Sequence, residues 1–529
     1  MINGFENISA FGSLFGDFYN TDEVCVTVKT ENTREVCYCE KAHRVTDEKY
    51  ILKISGDSDR RNIEIRSSGE KSAFYALCDV FNRYENGTLE NGEYAVSPTF
   101  AVRGYIEGFY GVPWTHEKRK SVMSLMAKNR MNTMYHAPKD DLYHRELWRD
   151  LYPEAELNQL AELVEYAKKY YIDFHWCIAP GLSMRYSDEN DFEILMSKSR
   201  QMYAIGIRHF GLLLDDIDEE LAFEEDKTLY GETVNAHIEL IEKYHNALLE
   251  IDKNNKLTIC PTLYHGTGTE YYISKLGQNI SPLISVFWTG RDICSRELTS
   301  AEAIKFIEGT RHKPLYWDNY PVNDMAMFNE MHISPIINRD ADLWKYSEGI
   351  ISNTMEYAEC SKIPLITFAD YLWDSENYNP DESWKNAIRQ VVGKADADKF
   401  TVFADHLYTS CLKDEPSKIM KAHFAEVLRL LKTGESEKAI AIAEEYIVKM
   451  QETCGYLKQN LPICDELRRW SEKFFVATEI FEKLMVTLKN KTDDNVKSLY
   501  AVIDKYDSMP VKIAEEMNMK LFLGIMFGI

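Results

Sequence analysis

Residues 210–216 of the chain read Phe-Gly-Leu-Leu-Leu-Asp-Asp, an uncharged run that ends in two adjacent carboxylates. An apolar run of this length between polar residues is typical of a strand buried on both faces, as in a parallel sheet covered by helices. Two acids at the end of such a strand contribute little to packing. In a barrel of parallel strands, active sites lie at that end. Asp215 and Asp216 therefore predict a functional cleft there.

Similar apolar segments recur on both sides of this run, and amphipathic helical stretches separate them. This alternation predicts parallel strands joined by crossover helices. Eight strand–helix units over about 250–290 residues match a TIM barrel. An open doubly wound sheet would also alternate, but no GxGxxG turn follows the first candidate strand. We therefore predict an α/β fold, a (β/α)8 barrel whose strands cover residues 104–107, 132–136, 173–178, 210–214, 257–261, 284–288, 314–317 and 349–353.

The 529 residues are too many for one compact core, so we expect further domains around the barrel. Residues 1–100 predict an N-terminal α+β accessory domain, with strands at 24–30, 50–55 and 62–66 and a helix at 72–84. Residues 101–394 then form the barrel, and residues 395–529 a C-terminal helical bundle. In that bundle we expect apolar stripes at Phe400, Phe403 and Leu407 and along residues 419–431. Ser436 is expected to cap a helix, and the apolar segment 521–529 either packs into a groove or marks truncation of a longer protein.

The chain carries 61 Lys and Arg against 85 Asp and Glu, a formal net charge of −24. This charge opposes binding to nucleic acid or to an anionic membrane surface, and it favours an enzyme with a neutral substrate. The 11 cysteines form no CxxC pair, and no HExxH occurs, so we expect neither a metal site nor a cofactor. Neither a signal peptide nor a long apolar run is visible, so a cytoplasmic location is expected. The oligomeric state stays open.

Polar and aromatic side chains follow the other predicted strands as well. Together they describe a pocket for a polar ligand with flat apolar faces, a description that sugars fit. The candidates are Gly108, Tyr110, Lys139, Tyr264, Thr289, Trp317, Asn319 and Asn353, with Asp324 further along a loop.

Several chemistries remain open for the acidic pair. Asp215 and Asp216 could serve glycoside hydrolysis or bind a divalent metal, and they could also form a solvated turn or cap a helix. For Lys139, a surface ion pair with Asp140 and Asp141 is the simplest interpretation.

Five motifs are similar to a known family. RGYIEGFYGVPW at residues 103–114 resembles the opening of the catalytic domain in glycoside hydrolase family 84. YHAPKDD at 135–141, the strand with its paired aspartates, WTG at 288–290 and WDN at 317–319 resemble that family in order and spacing. The resemblance covers residues 1 to about 390. It implies an O-GlcNAcase or related β-N-acetylglucosaminidase, acting on a glycan or glycoprotein that bears N-acetylglucosamine; some members are labelled hyaluronidases.

The resemblance also implies roles for single residues. Catalysis would be retaining and assisted by the substrate's own 2-acetamido group, through an oxazoline. Asp215 would accept the acetamido N–H, Asp216 would act as acid and then base, and Tyr264 would donate to the acetamido oxygen. We expect repulsion between the two acids to raise the pKa of at least one. Hydroxyl binding or pocket shape would fall to Gly108, Lys139, Asn319, Asp324 and Asn353, and the acetamido pocket to Tyr110, Trp317 and Thr289.

Two departures from the family pattern bear on these roles. Leu263 stands where the family often has Glu, and Arg291 where Pro is common. A catalytically silent sugar-binding barrel and a metal-dependent barrel hydrolase remain alternatives, and the natural aglycone is open.

Overall fold

A computed structural model describes residues 2–3, 14, 24–30, 47–57, 60–412 and 417–513. The segment 521–529 lies outside these residues. By its internal contacts the chain divides into two compact units. The first comprises Met1–Asn319, Arg339–Asn353 and Phe368–Tyr378, and the second comprises Tyr320–Asn338, Thr354–Thr367 and Asn379–Ile529. The predicted division into three domains stays a prediction.

The first unit begins with a five-stranded sheet in the order β1-β2-β4-β3-β5. Alternate residues of β3 are buried, which is the pattern of a strand with one face on a core. The helix α1, Glu70–Glu85, packs its apolar residues against this sheet. Neither the two-residue β1 nor β5 is among the predicted strands, and Asn91-Gly92 indicates a turn where β5 begins. The strands are Ile2–Asn3, Val24–Thr30, Tyr50–Gly56, Arg61–Ser67 and Gly92–Val96.

The same unit contains a closed barrel of eight parallel strands, β6 to β13, each paired with its neighbours in chain order. The barrel closes because β13 pairs with β6, Ile351 lying opposite Gly104. The predicted (β/α)8 fold is thus confirmed. The strands are Val102–Glu107, Thr133–His136, Asp173–Ile178, His209–Leu213, Lys256–Cys260, Ser285–Trp288, Pro314–Asp318 and Gly349–Asn353.

Apolar side chains fill the barrel interior. Ile106, Tyr135, Leu213, Phe287 and Ile351 belong to one buried cluster at its centre. Each of these side chains comes from a different strand, and the cluster takes Cys177, Cys260 and Leu315 from the other three, so all eight strands are packed into one core. The crossover helices α2 to α8 are His116–Lys128, Glu154–Lys169, Glu189–Ala204, Glu224–Tyr230, Thr233–Ile251, Tyr271–Asn279 and Ser300–Thr310, and α9 is Ala358–Trp373.

The second unit is helical in its described residues from 380 onward. Phe400 and Phe403 are buried as predicted, but Ile419 is exposed, because the apolar face of its helix is centred on Met420 and Phe424. Ser436 does not cap its helix: Glu435 occupies the cap position and Ser436 is the first helical residue. The helices α10 to α16 are Pro380–Val392, Ala397–Asp405, Lys418–Lys432, Ser436–Leu457, Pro462–Glu466, Arg468–Lys489 and Asp493–Ser508. Short 3-10 helices cover Met325–Met327 and, in the first unit, Leu343–Lys345.

Among the described residues, no helix has both the length and the apolar character needed to cross a membrane.

Candidate active site

The two acids lie beyond the end of β9, and a single buried lysine contacts both. Lys139 follows β7 and donates from Nζ to Asp215 Oδ2 at 2.5 Å and to Asp216 Oδ2 at 3.4 Å. The side chains of Lys139 and Asp215 are 3% and 6% exposed, whereas that of Asp216 is 33% exposed. A buried carboxylate needs a partner of opposite charge, and this ammonium supplies it. The two acids therefore have unequal surroundings.

The backbone turns at the second acid. Asp216 has φ 55°, in the left-handed region that Asp enters more readily than most residues. This turn allows two adjacent side chains to reach the same ammonium, which a regular strand would prevent. The next helix begins at Glu224 with Phe223 as its N-cap, so neither acid caps a helix.

Hydroxyl donors surround the carboxylate of Asp216. Tyr110 Oη donates to its Oδ2 at 2.7 Å, and Tyr264 Oη donates to its Oδ1 at 3.3 Å. Arg145 links these groups, since it donates from Nη1 to Tyr110 Oη and from Nη2 to the backbone oxygen of Asp216, both at 2.8 Å. Asp216, Tyr110, Tyr264 and Lys139 thus form one hydrogen-bonded group.

The positive charge of Lys139 and the negative charge of Asp216 shift each other's pKa values. Burial acts to raise the pKa of Asp216, but the ammonium of Lys139 and the hydrogen bond from Tyr110 outweigh it, so the pKa is lowered. Burial likewise acts to lower the pKa of Lys139, and the two carboxylates reverse this and raise it. The expectation that repulsion between the acids raises a pKa is therefore wrong for Asp216. That expectation left out the ammonium of Lys139, whose positive charge lowers the pKa. Asp216 is ionised in this state.

Asp215 keeps one acceptor free. Its Oδ2 accepts from Lys139, whereas its Oδ1 is buried and has no hydrogen-bond partner among the described residues. Leaving such an oxygen without a donor is costly, so it is suited to receive an N–H or O–H from a ligand. The backbone before it is fixed, since Thr262 Oγ1 donates to the carbonyl of Leu214 at 2.8 Å.

The loop after β6 is held by a buried carboxylate. Glu107 accepts from Arg119 Nε at 2.7 Å, from Arg119 Nη2 at 2.8 Å and from the backbone N–H of Trp114 at 2.9 Å. Because these bonds tie both ends of the loop, they fix Gly108 and Tyr110 between them.

A tryptophan and two asparagines follow β12 and β13. Trp317 Nε1 and Asn353 Nδ2 both donate to Asn319 Oδ1, each at 2.9 Å. A Cβ on Gly108 would lie only 2.7 Å from Trp317 Cζ2, so the glycine permits this close packing. Asn353 Oδ1 is buried and, within the described part of the chain, unpartnered. These strand ends thus offer a flat ring beside a second free acceptor.

A buried ion pair stabilises the strand end that precedes Asn319. Arg339 donates from Nε to Asp318 Oδ2 at 2.9 Å and from Nη2 to Asp318 Oδ1 at 2.7 Å, and both side chains are buried. It fixes the end of β12 immediately before Asn319.

The loop that carries Tyr264 is pinned by Thr289, which donates from its backbone N–H to the carbonyl of Tyr264 at 2.9 Å. Thr289 Oγ1 donates to Asp292 O at 2.8 Å and lies 3.4 Å from the same Tyr264 carbonyl. At the two departures from the family pattern, Leu263 is half-buried and Arg291 forms an ion pair with Glu302 at 3.3 Å.

Of the residues predicted for the site, ten belong to the first unit and lie at or just beyond strand ends. Asp324 belongs to the second unit, where it is half-buried and precedes the 3-10 helix Met325–Met327. Its role as a sugar ligand stays a prediction.

Sequence reasoning missed Arg145, Arg119 and Arg339. Each bonds to a residue distant in the chain, and in the sequence none differs from an ordinary surface arginine. The only available signal for Arg119 was the carboxylate of Glu107 in a buried strand, which requires a cation.

The fold and the site together define a barrel protein of the glycoside hydrolase class. Residues 103–405 match the family model described as beta-N-acetylglucosaminidase, and the chain belongs to that family. The resemblance to glycoside hydrolase family 84 is thereby confirmed.

Individual relatives agree with this assignment. Protein O-GlcNAcase of Rattus norvegicus and of Mus musculus are each 30% identical over 305 residues, which cover 56% of this chain and 32% of the relative. The aligned region thus spans about a third of the length of these curated relatives. An aspartate-to-asparagine mutant of the Thermobaculum terrenum O-GlcNAc hydrolase is 31% identical, with a TM-score of 0.76 over 81% of this chain and 95% of that one. CpGH84B shares the fold, with a TM-score of 0.81, 24% identity and coverage of 98% and 94%.

Proposed function

We propose that the chain is a retaining, exo-acting β-N-acetylglucosaminidase of the O-GlcNAcase type, which uses the 2-acetamido group of its substrate as nucleophile. The observation that carries the proposal is the inequality of the two acids. Asp215 is buried, neutralised by Lys139 and left with one free acceptor oxygen, whereas Asp216 is accessible and surrounded by hydroxyl donors.

In the first step the acetamido N–H donates to Asp215 Oδ1, which increases the electron density on the acetamido oxygen. That oxygen bonds to the anomeric carbon while the bond from this carbon to the leaving oxygen breaks. Asp216 gives its proton to the leaving oxygen, and the products are the free aglycone and a protonated oxazoline (oxazolinium ion), whose N–H stays hydrogen-bonded to the Asp215 carboxylate. The internal nucleophile makes this one of the exceptions to the usual pair of enzyme carboxylates.

In the second step Asp216 removes a proton from water, and the water oxygen bonds to the anomeric carbon as the oxazoline C–O bond breaks. The acetamido group is restored and the β configuration is retained. Tyr264 is suited to donate to the acetamido oxygen, for which it must leave Asp216. Without a ligand, the pKa of Asp216 is lowered and the carboxyl is ionised. When the sugar binds, Asp216 loses the hydrogen bond from Tyr264 and the sugar excludes water, and both changes raise its pKa and favour the protonated form.

The alternatives differ in observable ways. A metal site would need both carboxylates as free ligands, but the ammonium of Lys139 lies against both. Unchanged activity after exhaustive chelation would exclude metal dependence. Binding of N-acetylglucosamine without turnover would instead support a silent sugar-binding barrel.

The proposal is tested with an aryl β-N-acetylglucosaminide and the matching β-glucoside. We expect hydrolysis of the first with a β-configured initial product by NMR, and almost none of the second. Asp216→Asn should slow substrates with poor leaving groups far more than activated ones. Rapid turnover of the plain glucoside would refute substrate assistance, and equal loss for both leaving groups would refute the acid assignment.

A further inference from the structure

A cavity of about 540 Å³ lies in the first unit, away from the acidic pair. Its walls come from α1, β3, β5, the residue Arg130 between α2 and β7, and the end of α9. Arg130 precedes the first residue of β7, and Trp373 O accepts from the backbone N–H of Thr99 before β6. The cavity is therefore at the amino ends of the barrel strands, opposite the candidate active site. Its volume is within the range of small-molecule sites.

Two cations in this cavity lack full partners. Lys49 is 93% buried (7% exposed), yet its ammonium makes no hydrogen bond or ion pair with any described residue. Arg130 is 9% exposed, and its Nε has no hydrogen-bond partner in the described part of the chain. Its ion pair with Asp79 is long, at 3.9 Å. The Arg130 Nε is a buried donor without an acceptor, a costly state that an anion in the cavity would relieve, and the Lys49 ammonium adds positive charge beside it.

The acids of the same walls are already engaged. Asp79 accepts from Tyr50 Oη and from Arg83 Nε, both at 3.1 Å. Glu93 pairs with Arg66 at 3.2 Å, and Asp374 Oδ2 accepts from Asn377 at 2.9 Å. Asp374 Oδ1 makes no hydrogen bond among the described residues, so a ligand there must place its negative group by Lys49 and Arg130, away from Asp374.

The position of Arg130 supports a ligand role. Its φ is 63°, in the left-handed region that follows many helix ends and is usually taken by Gly. A bulky residue there is strained, and strained residues of this kind cluster at functional sites. The Arg130 Cζ lies over Trp373, 4.4 Å from the ring centre, as the Arg83 Cζ lies over Tyr94 at the same distance.

We propose that this cavity binds a small organic anion, whose carboxylate or phosphate group lies between Lys49 and Arg130. A guanidinium offers such groups paired donors, and an ammonium adds charge. The site is distinct from the acidic pair and does not depend on the proposed hydrolase activity.

The test is isothermal titration of the full chain with inorganic phosphate and with citrate, at constant ionic strength. We expect saturable binding of at least one probe, and the stronger of the two identifies phosphate or carboxylate as the preferred group. Lys49→Gln and Arg130→Gly should each weaken binding about tenfold or more. Gly suits the backbone at 130, and Lys49 has no partner to lose, so both variants should fold; thermal unfolding checks this.

Lys53→Gln is the matched control, because Lys53 lies exposed on the same strand as Tyr50 and outside the cavity. It should bind like the parent chain. The proposal is overturned if neither probe binds saturably, if Lys49→Gln binds unchanged, or if Lys53→Gln weakens binding equally.

Discussion

Gly108 offers a direct test of how tightly the candidate site is packed. A Cβ at this position would lie 2.7 Å from Trp317 Cζ2 and 3.2 Å from Ile106 Cγ1. Carbon atoms pack at about 3.5–4.0 Å, so the variant Gly108→Ala forces a displacement of about 1 Å. Trp317 has little room to move, because it packs edge-on against Phe287 at 5.1 Å and is bonded to Asn319.

The size of the effect follows from this geometry. Overpacking of this kind destabilises a core by about 1–3 kcal/mol. A misplacement of 1 Å in a site can reduce the rate by about a hundredfold. The backbone of Gly108 is outside the left-handed region, so alanine adds no backbone strain and the effect is steric alone.

The assay pairs denaturant unfolding followed by fluorescence with kcat/KM on an aryl β-N-acetylglucosaminide. Gly69→Ala is the control for kcat/KM, since a Cβ there meets no atom within 4 Å. It should leave kcat/KM unchanged and cost only about 1 kcal/mol of stability, because Gly69 is the N-cap of α1 and alanine caps helices poorly. Unaltered stability and kcat/KM in Gly108→Ala would refute the packing argument. If Gly108→Ala lost stability but kept its kcat/KM, the packing argument would stand, and Trp317 would not line the pocket in which the reaction occurs.

Three further predictions concern charged groups. Lys139→Met should raise the pKa of Asp216, so the alkaline limb of the kcat/KM profile, where the acid loses its proton, should move to higher pH; an unmoved limb would contradict the acid role. Asp318→Asn leaves the buried Arg339 uncompensated and should cost about 3–5 kcal/mol of unfolding free energy, with much of it restored by adding Arg339→Met; a fully stable single variant would contradict this. Burial acts to raise the pKa of Glu330, but His332 and Lys512 lower it to about 2, so its stabilisation is present above pH 4.5 and lost as pH falls through 2. Glu330→Gln should therefore lower stability by about 2 kcal/mol at pH 7, discounted for partial exposure, and the difference should vanish in acid urea titrations; a pH-independent difference would exclude the ionic cause.

The barrel could be predicted because its signal is local. A buried parallel strand needs a short continuous apolar run, and Asp173–Ile178 and Gly349–Asn353 have the predicted bounds. The burial of single side chains on helices was harder to predict from the sequence. Ile419 belongs by residue type to the buried stripe, but the direction of a helix face is set by its neighbours in space, which leave this side chain exposed.

The partners of the site residues could not be predicted, because they are distant in the chain. Lys139 is next to Asp140 and Asp141, yet its ammonium contacts Asp215 and Asp216, since parallel strands bring their carboxyl ends together. Asp140 accepts instead from the backbone of Gly111. The direction of the Asp216 pKa shift depends on that long-range contact, so repulsion between adjacent acids gave the wrong sign.

The same contact bears on which group attacks the sugar. A carboxylate that accepts from a buried ammonium at 2.5 Å has its charge drawn toward that partner, and this reduces its strength as a nucleophile. The lone pairs on Asp215 Oδ1 remain able to accept an N–H, a task that needs no bond to carbon. Asp216 is more accessible, but three donors from Tyr110, Tyr264 and Lys139 hold it as a proton-transfer group. With neither acid suited to attack carbon, the nucleophile we infer is the one that the substrate brings.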